Sequence, residues 1–90
     1  MNVKIDKTFE KDTDIIKDAK ILKSVADTIE GVIKCSKLSD ISKCKKLKNS
    51  KNSYKIKMGD YRIGFIFEEN TVKFIRFLHR SKIYKFFPQK

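Results

Sequence analysis

A chain of 90 residues has room for one domain, read here as spanning residues 1–90, and buries only roughly 60 to 65 % of the surface that its unfolded form exposes. Its 40 % hydrophobic content and 11 % aromatic content exclude a disordered tail, despite 37 % charged residues. The net charge of +11 is unevenly placed: residues 1–30 hold seven acids and six bases, and residues 31–90 hold four acids and sixteen bases. That basic part calls for a polyanion or an acidic partner.

No run approaches the ~18 apolar residues needed to span a bilayer. The opening "MNVKIDKTFEKDTDIIKDAK" carries acids where a secretion signal needs an apolar block, so a cytosolic protein without a membrane role is expected. Cys35 and Cys44 have no second cysteine pair and no nearby histidine. Ordinary reduced thiols are expected, with neither a disulfide framework nor a metal site.

In chain order, "NVKI" alternates and predicts a short strand over Asn2–Ile5. From Phe9 the apolar residues take a helical spacing, with Ile15 and Ile16 on the same short helix and Asp12 and Asp14 near its start or on its outer face. A second helix is predicted from Leu22, Val25, Ala26, Ile29, Val32 and Ile33, which recur three and four apart as one core-facing stripe. "SKLSDISKCKKLKNSKNS", Ser36 to Ser53, reads as a polar surface connection anchored by Leu38, Ile41 and Leu47. Three strands then follow, Tyr54–Met58, Tyr61–Glu68 and Thr71–Leu78, joined by turns at Gly59-Asp60 and Glu69-Asn70. The fold class is therefore α+β: a short N-terminal strand and a two-helix hairpin packed on an antiparallel sheet of about four strands.

With Gly59 and Asp60 as a two-residue loop, Met58 pairs with Tyr61, Lys57 with Arg62, Ile56 with Ile63 and Lys55 with Gly64. Parity sends Tyr54, Ile56, Met58, Tyr61, Ile63, Phe65 and Phe67 towards the helices. It sends Lys55, Lys57 and Arg62 to the reverse face, where Gly64 leaves a gap for a ligand. Alternation explains their polarity but not their common sign, which an anion between them would. Only three of the 22 bases are arginine, and Arg62, Arg76 and Arg80 all fall in one short region that favours a planar, permanently charged fork. The third strand has two registers: a two-residue turn sends Ile75, Phe77 and His79 to the basic face and Arg76 to the core, and a three-residue turn reverses this. In either register Arg80 and Tyr84 can reach the cluster.

"YKIKMGDYRIGF" and "HRSKIY", after a short strand and two helices, resemble the RelE/ParE superfamily of toxins from toxin–antitoxin pairs, and are most similar to its RelE-type messenger-RNA interferases. The resemblance implies a RelE-like domain that cleaves messenger RNA in the ribosomal decoding (A) site through the substrate's own 2′-hydroxyl, with no cofactor and no metal. It places active-site lysines on Lys55 and Lys57, the sheet arginine on Arg62, a further arginine on Arg80 and the C-terminal tyrosine on Tyr84. One lysine would take the proton, Arg62 would clamp the phosphate, Arg80 would clamp it or donate to the leaving oxygen, and Tyr84 would stack or orient a base. Lys45, Lys46, Lys48, His79 and Lys82 are candidate RNA contacts. His79 departs from the RelE set. The implied partners are the ribosome, its messenger RNA and a cognate antitoxin that covers the basic groove or displaces the C-terminal "IYKFFPQK", whose Ile83, Phe86 and Phe87 are expected to pack on the sheet. The alternatives are a ParE-like gyrase inhibitor without nuclease activity and a non-catalytic basic RNA-binding module.

Overall fold

A computed structural model of the protein describes residues 1–88. Gln89 and Lys90, which end the C-terminal segment and the domain as read above, lie outside the described residues. Strand β1 (Asn2–Ile5) leads into helices α1 (Lys7–Asp14) and α2 (Ala19–Lys34). A 3-10 turn (Leu38–Asp40) precedes β2 (Cys44–Lys46), β3 (Ser53–Met58), β4 (Tyr61–Glu68), β5 (Thr71–His79) and the short helix α3 (Ile83–Phe86). Among the described residues no helix is long and apolar enough to cross a membrane.

Both long helices start where the chain supplies a capping carboxylate. Asp6 accepts the Thr8 backbone N–H at 3.0 Å and Asp18 accepts that of Lys20 at 2.9 Å, which satisfies donors that a first helical turn leaves open. The C-terminal carbonyls of α2 are met by the chain's own amino terminus, which donates to Ile33 and Cys35 at 2.7 and 2.8 Å and sets a cation at the negative helix end. Of the expected α2 stripe, Val25 and Val32 are buried, whereas Leu22 and Ile33 stay at the exposed flank. Ile15 lies just past α1 and is exposed.

The strands form one five-stranded sheet in the order β1-β5-β4-β3-β2, one strand more than expected. It is mixed, because β1 runs parallel to β5 while every other pair is antiparallel. The extra strand is β2, which lies within the stretch read as a connection and pairs Cys44 with Ile56 and Lys45 with Lys55. Three residues, two of them lysine, carry no period-2 signal, and lysines on a short edge strand are a usual guard against edge-to-edge pairing.

The β3–β4 hairpin has the expected register, from Met58↔Tyr61 through Lys55↔Gly64. Gly59 takes a positive φ of 59°, as the first loop position of a type II′ turn requires. At the β4–β5 turn Glu69 and Asn70 both have positive φ, the type I′ pattern, so the two-residue loop forms. Neither register considered for β5 then holds throughout, because the ladder slips by one residue at Gly64/Phe65, where Ile75 is the unpaired extra. Before the bulge Val72 and Phe74 face the helices. Beyond it Phe77 and His79 also pair with helix-side residues, Ile63 and Tyr61.

The main core lies between helices and sheet. Phe9 of α1 meets Phe74 and Phe77 at ring-centroid distances of 5.6 and 6.1 Å, over a floor that includes Ile56, Ile63 and Phe65. Asp12 is buried rather than outward-facing: it accepts Arg76 Nε and Nη2 at 2.8 and 3.1 Å and the Phe77 backbone N–H at 2.9 Å. Arg76 is thus a structural arginine, with its guanidinium also lying over the Phe86 ring at 5.2 Å. A second, smaller core of Leu47, Ile75, Ile83 and Phe87 forms on the reverse face under α3. Ile83 and Phe87 are packed as expected, while Phe86 is half-exposed.

Candidate functional site

The reverse face of β2, β3 and β4 carries the cations. Lys45 stands opposite Lys55, and Lys57 stands opposite Arg62, so a two-strand register becomes a three-strand patch. Lys43, not anticipated as a site residue, joins them: it has a positive φ of 58°, and its carbonyl accepts the Lys57 backbone N–H at 3.1 Å. Lys43, Lys45, Lys55, Lys57 and Arg62 line one open cleft of about 520 Å³. Cys44 also lines it, and burial pushes that thiol up to about 11, which keeps it protonated at neutral pH and a poor nucleophile.

Tyr84 closes the patch from α3. Its hydroxyl is hydrogen-bonded to the Lys55 ammonium, which also lies 4.9 Å from the tyrosine ring centroid. What fixes Tyr84 there is packing below it: neighbours Ile83 and Phe87 are each 1 % exposed. Phe87 fills the space left by Gly64. A Cβ on that glycine would stand 2.6 Å from the Phe87 ring, so the gap expected to admit a ligand is occupied by the protein's own side chain.

Arg62 and Arg80 converge on the tip of the β3–β4 hairpin. Arg62 Nη1 donates to the Gly59 and Tyr61 carbonyls at 2.7 and 2.8 Å. The Arg80 backbone N–H donates to the Asp60 carbonyl at 2.7 Å, and its guanidinium lies 3.9 Å from the Asp60 carboxylate. Arg80 does not line the Lys55–Arg62 cleft. The cations therefore run along the hairpin from Lys55 and Tyr84, past Lys57 and Arg62, to Arg80. Lys55 to Gly59 is four residues, roughly 13 Å of strand.

The other candidates separate. Lys45, Lys46 and Lys48 line a cleft of about 390 Å³ together with Lys55 and Tyr84. His79 is not with them: the bulge puts it beside Tyr61, 5.8 Å between ring centroids and edge-on, on the helix side of the sheet. Its Nδ1 accepts the Ser81 backbone N–H at 3.1 Å, so the neutral ring carries its proton on Nε2. Lys82 is exposed at the start of α3 and lines none of these clefts.

Residues 3–84 match the model of the family described as ParE toxin of type II toxin-antitoxin system, parDE. The chain is 38 % identical over 89 residues to Toxin RelE3 of Methanocaldococcus jannaschii, covering 98 % of this chain and all of that one. The toxin fold in the RelB-RelE antitoxin-toxin complex from Methanococcus jannaschii superposes with a TM-score of 0.79 at 35 % identity, over 94 % of this chain and 99 % of that chain. The toxin-antitoxin complex RelBE2 of Mycobacterium tuberculosis shares the fold with a TM-score of 0.71 at 22 % identity, over 88 % and 96 % of the two chains. With this fold, this cation patch and matches over nearly its full length, the chain belongs to the RelE/ParE superfamily of type II toxin–antitoxin toxins.

Proposed function

We propose that the chain is an endoribonuclease that cuts messenger RNA in the ribosomal decoding site and so stops translation. The observation that carries this reading is the Lys55–Tyr84 contact beside Lys57 and Arg62, four groups of three chemical kinds on one open face. In the proposed reaction the RNA 2′-hydroxyl oxygen attacks the adjacent phosphorus and the bond to the 5′-oxygen breaks. A 2′,3′-cyclic phosphate and a free 5′-hydroxyl result. One of Lys55 and Lys57, in its uncharged form, accepts the 2′-hydroxyl proton, and the other, charged, returns one to the departing 5′-oxygen. Arg62 and Arg80 neutralise the pentavalent phosphate as paired forks; a guanidinium keeps its proton, so Arg80 serves as a clamp rather than as the acid. Tyr84 holds Lys55 and offers a ring for a base. Lys45 and Lys48 take up flanking phosphates, whereas Lys46 stands opposite the helix-side Tyr54 and is left out.

The proposed protein partner is a cognate antitoxin, supported by the RelB-RelE complex among the relatives. An acidic or amphipathic antitoxin segment laid over the reverse face would neutralise the patch. The family model's ParE description favours a second reading, a gyrase inhibitor, which needs no such concentration of lysine and arginine. Controlled expression followed by primer extension on messenger RNA tests the choice. New 5′ ends within coding regions, lost on Lys55→Ala and Arg62→Ala by about 10²-fold or more, support cleavage. Intact message accompanied by gyrase-dependent DNA breaks supports the second reading.

A further inference from the structure

The short helix α3 and the residue after it stand astride one row of the sheet. Lys55, Gly64 and Arg76 are register partners across β3, β4 and β5, and each meets a different side chain of this segment. Phe87 lies against Gly64, where a Cβ would come within 2.6 Å of its ring. Tyr84 is hydrogen-bonded to Lys55, whose ammonium lies 4.9 Å from the tyrosine ring centroid. Phe86 lies under the Arg76 guanidinium, whose Cζ is 5.2 Å from the ring centroid. At about 100° per residue, the buried Ile83 and Phe87 point down together, and Tyr84 and Phe86 leave on opposite flanks, each about 80° from the packed side.

The two flanks are held unequally. Lys55 reaches Tyr84 on a flexible four-carbon stem. Arg76 is fixed, because Asp12 of α1 accepts its Nε and Nη2 at 2.8 and 3.1 Å, and the same carboxylate accepts the Phe77 backbone N–H at 2.9 Å. Strand β1 stops at Ile5, opposite Phe74, so that carboxylate occupies the part of the β5 edge that β1 leaves uncovered. Arg76 thereby carries a rigid attachment from the helix layer, round the edge of the sheet, to α3. A guanidinium held in one plane by a bidentate carboxylate offers a flat cationic face to an aromatic ring. Phe86 is 48 % exposed, so burial gives it little of its place and the guanidinium gives it the rest.

We propose that Arg76 and Phe86 are positioning residues for the nuclease site: their contact fixes how far α3 is rolled about its own axis, and so holds Tyr84 against Lys55. Ile83 and Phe87 keep the turn down on the sheet, but they lie beneath its axis and resist rolling poorly. A contact on the flank away from Tyr84 stops the roll. Without it the tyrosine hydroxyl leaves Lys55, whose ammonium then samples many positions. Proton transfer with the 2′-hydroxyl, which needs a hydrogen-bonded geometry, slows, while the remaining cations still bind the RNA. This role rests on the nuclease reading, and neither residue touches RNA in it.

Three variants of the full chain test it. Phe86→Leu keeps an apolar side chain without a ring, Phe86→Tyr keeps the ring, and Arg76→Lys keeps a charge for Asp12 without the planar fork. In NMR of the chain alone, nuclear Overhauser contacts between the Tyr84 ring and the Lys55 side chain are expected to persist in Phe86→Tyr and to weaken in Phe86→Leu and Arg76→Lys. In ribosome-programmed cleavage, Phe86→Leu and Arg76→Lys are expected to lower kcat about tenfold with KM within about twofold, and Phe86→Tyr to keep kcat within about twofold. The melting midpoint of Phe86→Leu is expected within about 4 °C of the unmodified chain, which separates positioning from unfolding. Unchanged Tyr84–Lys55 contacts in Phe86→Leu, equal losses of kcat in Phe86→Leu and Phe86→Tyr, or a raised KM at unchanged kcat would overturn the positioning role while leaving cleavage in place. Contacts weakened as expected, with no message cut by the unmodified chain, would support the hold of Arg76 and Phe86 on Tyr84 and overturn the nuclease reading instead.

Discussion

Asp6 shows how much one side chain is asked to do. The Thr8 backbone N–H beside it, then the Thr8 side chain and the nearby Lys73 ammonium, hold its carboxyl below the usual aspartate range. A carboxylate depressed in the folded state stabilises the fold above the unfolded value, about pH 3.9, and loses that contribution as pH falls through its lower folded value. Asp6→Ala is therefore expected to lower stability by about 1 kcal/mol at pH 7, and the difference from the unmodified chain to shrink below pH 4, as read by urea denaturation at both pH values. Asp12 is the larger case. It and Arg76 have side chains only 10 % and 16 % exposed, so removing the acid strands a guanidinium and a backbone N–H among apolar groups. Asp12→Ala is expected to cost about 3–5 kcal/mol, and Arg76→Met, which leaves the buried Asp12 carboxylate without its counter-ion, a comparable amount. Equal and small losses in thermal melts would show that the pair is not the buried tie between α1 and β5 described above.

Between elements, the decisive contact is α3 on β4. Gly64 has no side chain where Phe87 packs, so Gly64→Ala must push the ring, and with it the turn that carries Tyr84, away from the sheet. A loss of about 1–3 kcal/mol is expected, together with loss of the Lys55–Tyr84 contact, visible as a change in the Tyr84 ring resonances. Such contacts mark the limit of what a sequence discloses. The β3–β4 hairpin was legible to the residue, because a period of two on both sides of Gly59-Asp60 leaves a single register. The superfamily was legible too, from "YKIK", "GDYRI" and "HR" in the right element order. Strand β2 was not, since Cys44–Lys46 is too short and too charged to show alternation. Nor was the bulge: alternation in β5 cannot say which residue the ladder will skip, and that one skipped residue, Ile75, carried His79 to the helix side. The Asp12–Arg76 pair spans 64 residues and Gly64–Phe87 joins two elements, so both depend on the assembled fold.

Over the whole molecule, charge and fold divide the labour. Helices α1 and α2 and the main core occupy one side of the sheet, and the other side carries Lys45, Lys55, Lys57 and Arg62 from the basic part of the chain, which holds 16 bases and 4 acids over residues 31–90. The small second core under α3 serves mainly to hold Tyr84 against that surface. On the proposed function, these cations cut RNA through its own 2′-hydroxyl. The most direct measurement is the chemistry of the ends formed when the purified chain is added to ribosomes programmed with a defined message. Fragments ending in a 2′,3′-cyclic phosphate and beginning with a 5′-hydroxyl, absent when the message carries a 2′-deoxy sugar at the cut position, are the predicted result. Undiminished cleavage of that 2′-deoxy message, or no cleavage under conditions where the same chain arrests growth, would contradict it.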